Sequence, residues 1–207
     1  MSSDGTPELP AGLRRASIIA LISGALLGIF SAYAMAQVLE PVDYDALVKS
    51  EKLTFAGPQD MARAHLAFWK SYDRNLESWR GSRVAILMLL SICTSLLFVS
   101  ALRMLRPMGV PREGVRRLIA GAAMACAIFS TLAGAQSAAA AKRASVAADR
   151  VAAEEAIKDW IPGLYGAVTV PLWSGFALLI AGAFAGLWMY FKSQRVQEQL
   201  AALEKQP

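Results

Sequence analysis

The sequence predicts an all-α integral membrane protein with four transmembrane helices, arranged as two tandem parallel-repeat hairpins, and a small extracytoplasmic helical cap. The chain has 207 residues, of which 56% are hydrophobic, and its mean hydropathy of +0.40 is too high for an ordinary soluble domain. Four apolar segments are each long enough to cross a hydrocarbon core, which takes about 20 helical residues. Two of these segments resemble each other, which predicts the tandem arrangement.

The first and third apolar segments carry the resemblance. Residues 12–37 read GLRRASIIALISGALLGIFSAYAMAQ, and residues 114–136 read GVRRLIAGAAMACAIFSTLAGAQ. Both begin with a glycine, an aliphatic residue and two arginines, and six of the last nine positions are identical. Tandem duplication of one hairpin explains this agreement, and similarity of composition between two alanine-rich spans is the alternative.

Hairpin one is predicted over residues 14–106, after a disordered cytoplasmic lead over residues 1–13 that contains Ser, Gly and Pro. Its transmembrane helices are expected at about residues 16–39 and 84–102. Between them, apolar residues at steps of three or four predict an amphipathic outer helix over about residues 58–82.

A cleaved signal peptide is the rival interpretation of the first apolar segment. Two arginines precede the segment, and Ala34-Met35-Ala36 has the pattern of a cleavage site. The segment is longer than the apolar region of a signal peptide, which is about 7 to 15 residues, and its internal counterpart cannot be one. We therefore expect a retained transmembrane helix.

Hairpin two follows a tight turn that contains two prolines. The expected parts are a cytoplasmic turn over residues 107–113, hairpin two over residues 114–192 and a cytoplasmic tail over residues 193–207. Transmembrane helices are expected at about residues 118–141 and 164–191, with an outer helical extension over about residues 142–160. Because no proline interrupts residues 114–160, a continuous helix there would be about 70 Å long, and would either project from the membrane or be interrupted.

The charges between the apolar segments predict the orientation. Residues 40–83 hold seven basic and seven acidic side chains, and residues 142–159 hold four of each. Residues 103–117, in contrast, hold five arginines and one glutamate. Positive charge accumulates on the cytoplasmic side, so this turn and both termini are expected in the cytoplasm, with the chain in a bacterial inner membrane.

Small residues predict where the helices pack, because helices in lipid associate through close approach of their backbones. The predicted helix-packing residues are Ala20, Gly24, Gly28, Ala32, Ala36, Ala123, Ala127, Ser130, Gly134, Gly182 and Gly186. The second span is leucine-rich and has no glycine, so we expect it to face lipid more than the others do. Packing within one chain is the simpler interpretation of the small residues, and a dimer interface is the alternative.

Aromatic residues and two glutamines mark the predicted outer side. Five aromatic residues are expected to form the cap or to bind a partner or the membrane surface, namely Phe68, Trp69, Tyr72, Trp79 and Trp160. Gln37 and Gln136 occupy matching positions of the repeat and form a candidate polar pair at its axis. Contact of each glutamine with lipid headgroups is the alternative.

Few residues can carry chemistry. His65 is the only histidine, Cys93 and Cys126 lie inside apolar spans, and the nearest charges, such as Arg83 and Arg103, lie at the ends of the spans. We therefore expect no cofactor, no metal site and no catalytic residue. Arginines at span ends indicate a lipid bilayer as partner, and not nucleic acid.

These observations favour a protein that is not an enzyme. The expected function is that of a membrane interaction, assembly or accessory subunit, which binds a protein partner or forms a homo-oligomer. One alternative is an oligomeric channel or small-solute transporter lined by small and hydroxyl residues. A further alternative is a membrane sensor with an extracytoplasmic ligand site.

Overall fold

The computed structural model describes residues 9–40, 43–44, 59–106, 112–157 and 159–204. The α-helices of these residues are α1 (Ala11–Leu39), α2 (Gln59–Glu77), α3 (Arg80–Leu105), α4 (Arg112–Glu154), α5 (Leu164–Lys192) and α6 (Gln194–Glu204), and the same residues contain no β-strand. The helices α1, α3, α4 and α5 are long and apolar enough to cross a membrane. The predicted all-helical fold with four helices able to span a membrane is therefore confirmed for the described residues.

The helix ends differ from the predicted ends at several places. α1 begins at Ala11, so residues 11–13, which were expected in the disordered lead, are helical. α3 begins at Arg80, directly after the short turn that follows α2, and thus includes residues that were expected in the outer helix. Residues 1–8 of the predicted lead, residue 58 and residues 107–111 of the predicted turn lie outside the described residues.

α4 is one continuous helix of 43 residues and about 65 Å, which unites the predicted third span with most of the outer extension. Its end comes earlier than predicted. The amide of Ile157 donates to the carbonyl of Ala152, and the amide of Ala156 donates to the carbonyl of Ala153. Ala156 has a φ of 51°. This pair of bonds around a left-handed residue ends many helices, although glycine is the usual residue at that position.

The described residues form two compact units. The first comprises the described parts of Met1–Tyr33, Leu87–Ser130 and Leu179–Pro207, and the second comprises those of Ala34–Ile86 and Thr131–Leu178. Each of the four spans contributes residues to both units.

The first unit has an aliphatic core to which all four spans contribute. Leu13, Leu97 and Ile119 are fully buried in this core. Val196 and Leu200, which lie four residues apart on one face of α6, are buried in it as well. The predicted tail is therefore a packed amphipathic helix as far as the structure describes it.

Inside the first unit, α1 and α3 approach each other closely. A methyl group added at Gly24 would lie 3.2 Å from the carbonyl oxygen of Thr94, and one added at Gly28 would lie 3.3 Å from Thr94 Oγ1. Ser31 Oγ lies 2.9 Å from Ser91 Oγ, within hydrogen-bonding distance. The expectation that the second span faces lipid most is wrong, because these small hydroxyl residues give α3 a packing face. In α3, 33% of the most apolar stretch is buried, against 28% in α1 and 11% in α5.

The second unit has a separate core between α2 and α4. Phe68, Tyr72 and Leu76 follow each other at steps of four on one face of α2, and all three are buried. They pack against four buried alanines of α4, namely Ala140, Ala141, Ala144 and Ala148. Large rings on one helix thus fill the space that small side chains leave on the other, which explains why an alanine-rich helix can form a core.

Candidate functional sites

The aromatic residues predicted as a cap or partner surface lie mainly in the core of the second unit. Phe68 and Tyr72 are buried, and Trp79 and Trp160 are partly buried against the same core. Trp69 is 37% exposed. Four of the five residues thus pack in a core, as predicted for a cap. Trp69 alone of the five has a ring exposed enough to contact a partner or the membrane surface.

Aromatic stacking connects α2 with the beginning of α5 inside the second unit. The ring centroids of Tyr72 and Trp173 lie 6.2 Å apart with an interplanar angle of 15°. Those of Trp160 and Tyr165 lie 5.3 Å apart at 10°, and the His65 ring lies 5.1 Å from the Tyr165 ring. Burial lowers the pKa of His65, so this packing favours the neutral imidazole.

Asp149, near the end of α4, forms hydrogen bonds with the segment that connects α4 to α5. Its Oδ1 accepts a hydrogen bond from Trp160 Nε1 at 2.9 Å, and its Oδ1 and Oδ2 accept bonds from the amide of Gly163 at 3.2 and 3.1 Å. Gly163 directly precedes α5 and has a φ of 77°, which suits glycine. Arg63 of α2 forms an ion pair with Glu155 at 3.2 Å. These contacts hold the sharp return from α4 to α5 within the second unit.

Arg83, in the first turn of α3, is an unusual polar residue because it is only 9% exposed. Its Nη1 donates to Ser137 Oγ of α4 at 3.2 Å. Its Nε is buried without a hydrogen-bond partner in the described residues, and none of their carboxylates forms an ion pair with it. A buried guanidinium without a direct ion pair costs free energy, which makes Arg83 a candidate functional residue.

From the sequence, Arg83 lies just before the predicted second span, and its burial is not predicted. Because α3 already begins at Arg80, Arg83 shares a helix face with Leu87 and Leu90, at steps of four and three. Both leucines are buried. The signal that could have identified Arg83 is therefore its position in the buried stripe of a helix that begins earlier than predicted.

Ionisable side chains of the second unit surround this arginine. Tyr44 Oη donates to Asp73 Oδ2 at 2.5 Å. Burial raises the pKa of Asp73, while the bond from Tyr44 and the charge of Arg83 act in the opposite direction. Burial also raises the pKa of Tyr72, against a hydrogen bond with Ser137 and the charge of Arg83. The cluster supplies hydrogen-bond donors and one carboxylate, and so can anchor helices or recognise a polar group.

Gln136 has a different partner from the predicted one. Its Nε2 donates to Ser82 Oγ at 3.1 Å, and its Oε1 is buried without a partner in the part of the chain that the structure describes. Gln37, its counterpart in the repeat, is exposed. Gln136 therefore joins α4 to the first turn of α3, beside the bond between Arg83 and Ser137, and that bond of Gln136 does not reach Gln37.

Some of the predicted helix-packing residues are buried. Those that are buried in the first unit are Ala20, Gly24, Ala123, Ala127 and Ser130. Gly28 is half-buried against α3, as described above. In the second unit, a methyl group added at Gly134 would lie 2.1 Å from the Cβ of Ala177, so α4 and α5 are in close contact there.

Of the other predicted packing residues, three are exposed and Gly186 is half-buried. Ala32, Ala36 and Gly182 are exposed, and a methyl group added at Gly182 or Gly186 would meet no atom within 4 Å. For α1 the reason is geometric, because residues at steps of four turn by about 40° per step around a straight helix. The small stripe of α1 therefore leaves the packed face after Gly28.

The fourth span, α5, presents a large open face. Only 11% of its most apolar stretch is buried, the smallest share of the four spans. In the first unit, Leu179 and Met189 are 75% and 59% exposed and lie on the same side of the helix as Gly182 and Gly186. Large apolar side chains on this face thus flank two glycines at i and i+4.

No group of three or more His, Cys, Asp and Glu side chains is placed to hold a metal ion within the described ranges. Comparisons with protein families, with curated proteins and with solved structures give no match to this chain.

Proposed function

We propose that the protein is a non-catalytic interaction or assembly subunit of a bacterial cytoplasmic membrane, which binds a transmembrane helix of a protein partner through the open face of α5. One observation carries the proposal. The chain contains two glycine pairs at i and i+4 in its spans, and their surroundings differ. Gly24 and Gly28 are in contact with α3, whereas Gly182 and Gly186 have no neighbouring atom where a Cβ would lie.

Paired glycines support helix association in lipid because they allow two backbones to approach. The pair on α1 illustrates this within the chain, since Thr94 of α3 occupies the space beside it. The pair on α5 offers the same shallow notch, and the exposed apolar side chains of Leu179 and Met189 border it. A transmembrane helix of a partner would fill this notch and bury those side chains.

We also propose that both termini are cytoplasmic and that α2 and the second half of α4 form an extracytoplasmic helical cap. The charge pattern of the connections supports this orientation. The resemblance of residues 12–37 and 114–136 supports an origin from two tandem hairpins. In the absence of Cys93 and Cys126, cysteines introduced at Ser71 and Val110 test the orientation. An impermeant thiol reagent should label the first from outside the cell, and labelling of the second instead would contradict it.

The partner is tested by native mass spectrometry of the full chain, extracted from its own membrane in mild detergent. We expect one reproducible heteromeric complex. The double variant Gly182→Leu, Gly186→Leu should reduce the complexed fraction by roughly tenfold, as expected if about 1.4 kcal/mol of helix packing is lost. Gly121→Leu is the matched control, because Gly121 is also exposed on a span with no atom near its Cβ position but belongs to no such pair.

The alternative functions predict other results. A closed homo-oligomer that conducts small solutes across liposomes would contradict the subunit proposal and would favour a channel. A complex that survives the double glycine variant unchanged would contradict the role of α5.

A further inference from the structure

One end of the first unit carries a concentration of positive charge. The beginnings of α1 and α4 and the ends of α3 and α5 meet there. A methyl group added at Gly12 would lie 3.1 Å from Tyr190 Oη, and the guanidinium of Arg116 donates to the carbonyl oxygen of Phe191. Met104, near the end of α3, is buried in the same core as Phe191. Charged residues on these four helix ends therefore share one end of the unit.

The exposed cations at this end form what we call the basic collar, which consists of Arg14, Arg15, Arg103, Arg106, Arg117 and Lys192. Among the side chains that the structure describes, the first unit has nine basic and two acidic ones, whereas the second unit has eight of each. The excess of positive charge thus belongs to one unit and is not spread over the protein.

Among the described residues, most of the collar has no ion-pair partner. Glu113 accepts hydrogen bonds from Arg116 and from Arg117, at 2.6 and 3.0 Å. Arg117 is nevertheless three-quarters exposed, with 75% of its side chain accessible. Within the described ranges, the other five collar residues form no ion pair. Arg116, which is buried and paired, is a structural arginine and does not belong to the collar.

The collar borders apolar surface that faces outward. Ile18, Ile19 and Leu118 are large, exposed and lie one to four residues from collar arginines along α1 and α4. Lys192 Nζ lies 4.9 Å from the centre of the Trp188 ring, and a tryptophan beside a cation is typical of the headgroup region. Cations at the ends of apolar helices, beside a tryptophan and exposed aliphatic side chains, match the chemistry of lipid headgroups and the adjacent acyl chains.

We propose that the basic collar binds anionic phospholipids, with the phosphate among the arginines and the acyl chains along the adjacent exposed aliphatic residues. Positive side chains attract anionic lipid over zwitterionic lipid because the amine of a zwitterionic headgroup cancels the phosphate charge. The basic collar is a different surface from the partner face on α5. Either proposal can therefore be contradicted while the other is supported.

Native mass spectrometry of the full chain in detergent, titrated with phosphatidylglycerol or phosphatidylcholine, tests the proposal. We expect the wild type to retain phosphatidylglycerol preferentially. The variant Arg14→Gln, Arg15→Gln, Arg117→Gln should lower that preference by roughly tenfold or more. The matched control Arg74→Gln, Lys142→Gln, Arg150→Gln removes the same charge from exposed positions of the second unit and should leave the preference unchanged.

A second variant distinguishes loss of charge from loss of structure. Arg14→Lys, Arg15→Lys, Arg117→Lys keeps the charge and should retain the preference within about twofold. An unchanged preference in the glutamine variant would overturn the proposal, and so would an equal loss in the control or in the lysine variant. Inorganic phosphate at millimolar concentration should not displace the lipid, and displacement would show a site for free anions instead.

Discussion

Arg83 Nη1 and Ser137 Oγ lie 3.2 Å apart, in a hydrogen bond that joins the first turn of α3 to the middle of α4. Both residues are buried. Within the described residues, Ser137 accepts the hydrogen bond of this guanidinium. Since the Nε of Arg83 is already unpartnered, the second unit depends on Ser137 to satisfy part of a buried charge.

Ser137→Ala should therefore destabilise the protein by about 1–3 kcal/mol, because it leaves a buried donor without an acceptor. Chemical denaturation in detergent, followed by tryptophan fluorescence, measures the effect. In an Arg83→Met background the same serine substitution should cost less, because only the hydrogen bond between Ser137 and Tyr72 then remains to be lost. Equal costs in the two backgrounds would show that the bond contributes little.

Ala156→Gly should stabilise the protein by roughly 1 kcal/mol. Ala156 has a φ of 51°, a conformation in which a Cβ costs free energy and glycine does not. Ala153→Gly is the control, because Ala153 is exposed in regular helix three residues earlier. Glycine in a helix is less favourable than alanine, so this variant should destabilise the protein by about 1 kcal/mol. Thermal unfolding of both variants should thus give shifts of opposite sign. A lower melting temperature for Ala156→Gly would refute this account of how α4 ends.

Gly134→Ala should destabilise the protein by about 1–3 kcal/mol, because its methyl group would lie 2.1 Å from the Cβ of Ala177 and would push α4 and α5 apart. Adding Ala177→Gly should recover much of the loss, since it removes the atom that clashes. Gly121→Ala, where the new methyl group meets no atom within 4 Å, should be neutral or slightly stabilising. Melting temperatures of the single and double variants test this ordering.

The stability of the protein should decrease as pH falls from 7 towards 5. The pKa of His65 is lowered by burial, so the folded protein binds fewer protons there than the unfolded chain, whose histidine has a pKa of about 6.5. The contribution of the neutral ring is fully present above about pH 6.5 and is lost as the pH falls through the folded pKa.

His65→Phe keeps an aromatic ring against Tyr165 and removes the titration, so its melting temperature should vary less over this pH range. Asp73 acts in the opposite direction, because its raised pKa makes the folded protein bind more protons. Both proteins contain Asp73, and the difference between their pH profiles therefore isolates His65. Parallel profiles would contradict the role of this histidine.

The spans were predictable because the capacity to cross a membrane is a local property. A run of apolar residues of sufficient length defines a span without reference to other parts of the chain. Each of α1, α3, α4 and α5 contains the whole of its predicted segment. The end of α4 was not predictable in this way, since a left-handed Ala156 is stabilised by its surroundings and not by its own preference.

The sequence by itself determined that the protein is helical, how many spans it has and where their charges accumulate, because hydrophobicity and charge act along the chain. Only the tertiary structure decided which faces meet. In this structure, Arg83 lies in a buried stripe and α3 packs against Gly24 and Gly28. No described atom lies within 4 Å of the Cβ positions of Gly182 and Gly186. Small residues permit close contact at all four glycines, but contact needs a second helix at the right rotation and distance, and residues far away in the chain supply it.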